Sequence, residues 1–109
     1  MTMRLDRYTK IDGVMVGESV FGGGPALWVN AKQITNEIDD DTIEVRIGRK
    51  HIRARGLVPH RPASDWCVLP AKHTALLAEL IELAASQHRV DAPKPPPTGA
   101  DLERRKRFH

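Results

Sequence analysis

The chain has a single cysteine, Cys67, so no disulfide can form within it. Its first residues, MTMRLDRYTK, lack the apolar stretch of a secretory signal, and the two absences together point to the cytoplasm. Long hydrophobic runs are missing as well. The most apolar segment, Ala75 to Ala85, is interrupted by Glu79 and Glu82 and is too short and too charged to span a bilayer, so no membrane partner is expected. An excess of one charge is absent from most of the chain. Seventeen Lys and Arg against fourteen Asp and Glu give +3 overall. Residues 1–90 carry twelve bases and eleven acids, and residues 91–109 carry five and three. Domains that bind nucleic acid cluster Lys and Arg over one face, so only a local patch or the tail is left for that role. The five histidines and one cysteine show no C-x-x-C or H-E-x-x-H spacing, and neither a metal nor a cofactor is expected. Gly22-Gly23-Gly24-Pro25 has no following helix with a Lys and a Ser or Thr, and reads as a turn rather than a phosphate cradle.

What is present suits one small domain. Of 109 residues, 40% are apolar, enough for a single core. The pattern predicts an α+β fold over residues 10–90: an antiparallel sheet of four or five strands, one long C-terminal helix packed on it, and a short helical turn at an edge. Residues 1–9 read as an N-terminal extension. Residues 91–109, with four of the eight prolines and the run Arg104 to Arg107, read as a disordered tail suited to an acidic partner.

The helix is expected over Ala71 to Arg89, with Leu76, Leu77, Leu80, Ile81, Leu83 and Ala84 on one face and Pro70 at or just before its first turn. Thr42 to Ile47 alternates strictly, which puts Ile43, Val45 and Ile47 on one side and Thr42, Glu44 and Arg46 on the other. Ala26 to Asn30 and Gln33 to Ile38 flank an Ala31-Lys32 junction short enough for a hairpin. Ser64 to Leu69 is a strand apolar on both faces, as is the strand holding Trp28, and a further strand fits residues 14–20. Gly48 to Gly56 reads as the helical turn, anchored by Ile52 and stopped by Gly56. Asp39-Asp40-Asp41 reads as a solvated hairpin turn, and Cys67 as a buried, inert thiol.

A single helix covers one face of a small sheet, so the second apolar face of the strands bearing Trp28 and Trp66 needs another cover. The short turn and the N-terminal segment are candidates. A homodimer contact, a protein partner or an apolar ligand are the functional ones. A non-catalytic binding or interaction module is therefore the leading expectation, with Trp28, Arg46, Asp65 and Trp66 as contacts. The alternative is a nucleic-acid accessory protein using Arg49, Lys50, Arg53 and Arg55, helped by the basic tail. No catalytic residue is assigned. For a small enzyme, the third reading, the polar cluster is Asp65, His60 and Arg46.

Three stretches, Gly-Gly-Gly-Pro-Ala-Leu-Trp-Val (22–29), Ile-Glu-Val-Arg-Ile-Gly-Arg-Lys-His-Ile-Arg (43–53) and Ser-Asp-Trp-Cys-Val (64–68), precede a helix ending Gln-His-Arg (87–89). In this order they resemble the small bacterial luciferase-domain family, across residues 13–89. The resemblance implies a domain family of unknown function and carries over no catalytic residue. The segment from Gly48 to Ser64 is shorter than the charged helix of that family. Flavin-dependent luciferases are a different matter, since they need a TIM barrel of about 250 residues. A fainter likeness, to α+β proteins of double-wing type, some of them associated with DNA, concerns architecture alone.

Overall fold

The computed structural model describes residues 5–22 and 24–107. Its elements are a 3-10 turn (Asp6–Lys10), seven strands and three helices: β1 (Val14–Glu18), β2 (Pro25–Val29), β3 (Lys32–Gln33), β4 (Thr35–Glu37), β5 (Thr42–Arg46), α1 (Arg49–Arg55), β6 (Val58–Pro59), β7 (Trp66–Pro70), α2 (Thr74–His88) and α3 (Gly99–Arg107). The fold is α+β, as the patterning predicts. Its antiparallel strands fall into two sheets, ordered β1-β2-β3 and β4-β5-β7-β6.

The division has a local cause. The stretch expected as one strand from Gln33 bends at Ile34, so β3 pairs with β2 while β4 pairs with β5. At the bend, Ile34 N donates to Leu27 O at 2.8 Å and Leu27 N donates to the Thr35 hydroxyl at 2.9 Å. A side-chain oxygen thus stands where a ladder carbonyl would, and Thr35 is fully buried to supply it. The hairpin turn also sits one residue earlier than the sequence suggests. Asn30 and Ala31 take φ of 49° and 63°, the left-handed pair that a two-residue turn requires, and Val29 pairs with Lys32. Asn favours this conformation and Ala does not, which is why the junction reads as Ala31-Lys32 in the sequence.

The main core gathers Ile43, Val45 and Ile47 from β5 and the residue after it, Cys67 and Leu69 from β7, Leu27 and Val29 from β2, and Leu77, Leu80, Ile81 and Ala84 from α2. The strict alternation of β5 places that face as expected, and β7 lies between β5 and β6. Pro70 closes β7 instead of opening the helix, which starts at Thr74 behind His73. α1 ends at Gly56, whose φ of 66° lets its N–H return to Ile52 O and Arg53 O. Asp39 to Asp41 form the β4–β5 turn, with Asp41 N donating to Asp39 Oδ1 at 2.8 Å. The glycine run joins two antiparallel strands, with Ser19 N donating to Gly24 O at 2.8 Å; Gly23 lies outside the described residues.

Both expected tails differ in the structure. Leu5 and Tyr8 of the expected N-terminal extension are buried in the main core, while residues 1–4 lie outside the described residues. Residues 99–107 of the expected disordered tail form α3, and residues 108–109 are again outside the described ones. The reason is tertiary. Leu102, the one buried side chain of α3, packs with Val20, Ala26 and Trp28 on the face of β2 that α2 does not reach. Lys106 pairs with Glu18, and Arg105 donates to Ala31 O at 2.8 Å. The C-terminal segment is thus the cover that the second face of the Trp28 strand needs. No helix among the described residues is long and apolar enough to cross a membrane.

Candidate functional site

The residues singled out in the sequence converge. Trp28, Arg46, Asp65 and Trp66, together with His60, line one cleft of about 700 Å³. β5 and β7 position the first pair, because Arg46 and Trp66 are direct cross-strand partners. His60 follows β6 and is held by its N–H to Trp66 O at 2.8 Å. Trp66 is half-buried and meets Phe21 edge to face, ring centres 5.6 Å apart. Trp28 is only 1% exposed and belongs mainly to the small core under α3. Its Nε1 finds no hydrogen-bond partner among the described residues.

The floor of the cleft is polar and fixed. Gln33 Oε1 accepts from Val20 N at 3.0 Å, and its Nε2 donates to Ser19 Oγ at 3.0 Å and Thr35 O at 2.8 Å. Ser19 Oγ accepts from Phe21 N and donates to Asn36 Oδ1, each at 3.0 Å. Asn36 Nδ2 then donates to Glu44 Oε1 at 3.1 Å. The loop bearing Phe21 is therefore pinned to β3 and β4 by groups buried well enough to make each bond count. Glu44 is 6% exposed although it faces away from the main core. His60 Nδ1 lies 2.9 Å from its Oε2, close enough for an ion pair but off the line of a good hydrogen bond. Arg61 Nη2 donates to His60 Nε2 at 3.3 Å.

Sequence reasoning missed Glu44, Asn36, Gln33 and Phe21 as parts of this site. Only Glu44 carried a signal, as an acid on the same side of β5 as Arg46.

Asp65 also has a structural task. Its backbone O accepts from Ile47 N and Gly48 N, and its Oδ1 accepts from Arg49 N at 3.1 Å. Gly48 has no side chain to cap α1, and Asp65 supplies that acceptor from the neighbouring strand's approach. Asp65→Ala is expected to cost about 1 kcal/mol of stability and Asp65→Asn much less, read from urea unfolding midpoints.

Outside the cleft, Arg49, Lys50, Arg53 and Arg55 lie exposed along α1. None pairs with a carboxylate among the described residues. No group of three His, Cys, Asp or Glu among the described residues is placed to hold a metal ion. Burial pushes the Cys67 thiol up, against a weak Sγ donation to Val45 O at 3.5 Å.

Burial, reinforced by the nearby cations of Arg46 and Lys32, pulls the half-buried His88 below the usual imidazole range. The unfolded chain then takes up this proton before the folded one does, so stability is complete above about pH 6.5 and declines as the pH falls below it. His88→Gln is expected to reduce that acid-side loss, measured as the difference in urea midpoint between about pH 7.5 and 5.5.

Compared with known proteins, the chain matches no family model, no curated protein and no solved structure.

Proposed function

We propose that the chain is a binding module without chemistry of its own, and that the cleft over β5 and β7 receives its ligand. The observation that supports this reading is the pre-set wall. Arg46 and Trp66 sit side by side above a floor of buried hydrogen bonds, so little ordering remains to be done when a ligand arrives. The volume of about 700 Å³ suits a small organic molecule. His60 meets Glu44 and Arg61, and no hydroxyl or thiol hydrogen-bonds to it among the described residues, which favours binding over nucleophilic catalysis.

A fragment screen by amide chemical shifts tests the site. Hits are expected to move the amides of residues 44–46 and 60–66, and to be lost in Trp66→Ala. Hits gathered instead in the groove along Val58, Val68 and Pro70 would remove the cleft from consideration.

A second reading, nucleic-acid binding through α1, is favoured by its four exposed bases, which pair with no carboxylate among the described residues. Tail bases contribute less to it, since Arg104 pairs with Asp101, Lys106 with Glu18, and Arg105 bonds to Ala31 O. Anisotropy with labelled duplex DNA and single-stranded RNA would show steep loss of affinity with salt and dependence on Arg49, Lys50, Arg53 and Arg55. Absence of binding at physiological salt leaves the cleft as the function.

A further inference from the structure

We infer that the ligand of this cleft is a small anion carrying a planar apolar body, and that α3 supplies one of the cations that hold it. The inference rests on the cleft being a binding site and names the chemistry it selects.

The charge of the lining is the first argument. Lys32, Arg46, Arg61 and Arg105 share its lining with two acids, Glu44 and Asp65. Asp65 is engaged by the amide of Arg49 and Glu44 Oε1 by Asn36, while Glu44 Oε2 has His60 Nδ1 at 2.9 Å and no hydrogen bond among the described residues. None of the four cations pairs with a carboxylate among the described residues. Among the described residues, the Arg61 guanidinium hydrogen-bonds to the imidazole of His60 and the half-buried Arg46 guanidinium makes no hydrogen bond. Arg46 is half-buried while Lys32, Arg61 and Arg105 are exposed along the rim, and like charges gathered around a concave surface add their fields at its mouth. Three of the four are arginines, whose planar forks match carboxylate, sulfonate or phosphate oxygens.

The second argument is the wall beside them. Trp66 and Phe21 meet at 87°, so the two rings form a fixed apolar corner next to Arg46. A cleft of about 700 Å³ is far larger than a lone inorganic anion needs. An anionic head with a flat body uses both parts.

Arg105 ties the site to the C-terminus. Its guanidinium lies 5.9 Å from the centre of the Trp28 ring and donates to Ala31 O, so the helix holds it at the rim. α3 is in turn secured by Leu102 and by the Lys106–Glu18 pair, in which Lys106 Nζ donates to Glu18 Oε2, a bond that pushes the Lys106 ammonium pKa up.

Two dyes test the inference on the full chain: anilinonaphthalene sulfonate, and phenylnaphthylamine, which has the same aromatic frame without the sulfonate. The sulfonate dye is expected to bind one to one and about tenfold tighter than the neutral one. Arg46→Met and Arg105→Met should each weaken it by about fivefold or more while leaving the neutral dye nearly unchanged, and Trp66→Ala should weaken both. In the unaltered protein, raising salt from about 50 to 500 mM should loosen only the sulfonate dye, a comparison that does not depend on any variant folding. Equal affinity for the two dyes, indifferent to salt and to both arginines but lost in Trp66→Ala, overturns the anionic class and keeps the cleft. No binding, or binding indifferent to Trp66 as well, overturns both the inference and the reading beneath it.

Discussion

Trp28→Ala is expected to lower the unfolding free energy by about 3–5 kcal/mol, a large part of the ~5–15 kcal/mol that holds a domain of this size together. The indole is 1% exposed, packs with Val20, Ala26 and Leu102, and lies beneath Arg105, so its removal empties the contact on which α3 docks. Little of that volume can be refilled, because the neighbours belong to three separate segments held by their own bonds. Trp28→Phe should cost less than half as much. It keeps an aromatic ring in place and gives up an N–H that has no acceptor among the described residues. Urea unfolding of both variants decides the matter. A Trp28→Ala protein within about 1 kcal/mol of its parent would mean that this side chain is not a core element, and would return it to the set of ligand contacts.

Gly17→Ala should detach the C-terminal segment while leaving the sheets intact. A Cβ at residue 17 would stand 2.6 Å from Pro96 Cβ and 2.9 Å from Cδ1 and Nε1 of Trp28, closer than such atoms approach. Something must yield, and the two neighbours differ in their holds. Trp28 is fixed in β2, between β1 and β3. Pro96 belongs to a proline-rich stretch tied down by a single described bond, Lys94 N to Asn30 Oδ1 at 3.0 Å. The cost of overpacking, about 1–3 kcal/mol, should therefore fall on the docking of residues 91–107. Native-state hydrogen exchange is the direct measurement: α3 amides lose protection and β5 and β7 amides keep theirs, with faster tryptic cutting after Arg104 and Arg105. Unchanged protection in α3 would show that the segment and the sheet do not press on each other as described.

The parts of the fold legible in the sequence are those decided by local periodicity. Thr42 to Arg46 alternates, and the Leu77, Leu80, Ile81 and Ala84 stripe recurs at helical spacing, so a face could be assigned to each without knowing its neighbours. What stayed hidden depends on contacts between distant residues. The bend at Ile34 that splits the strands into two sheets is set by bonds to Leu27, which no local pattern reveals. Residues 99–107 hold one apolar anchor, Leu102, among charges, and their helix exists because Trp28 and Glu18 are there to meet it. The site divides the same way. Trp66 and Arg46 stood out as residue types on strands, whereas the Glu44–His60 contact needs β6 and β5 to flank β7 in the observed order. Trp28 marks a strand face in need of cover, and the chain's own C-terminal segment supplies that cover.

The lone thiol offers a clock. Cys67 is completely buried in β7, and no other cysteine exists in the chain to react in its place. Its side chain belongs to the main core, so a thiol reagent in native buffer is consumed when that core opens, and the rate of consumption counts those openings. Release of α3, which lies against the other sheet, leaves that clock running at the same pace. Two kinds of opening, the peeling of the C-terminus and the breaking of the core, can therefore be timed separately in one unlabelled protein.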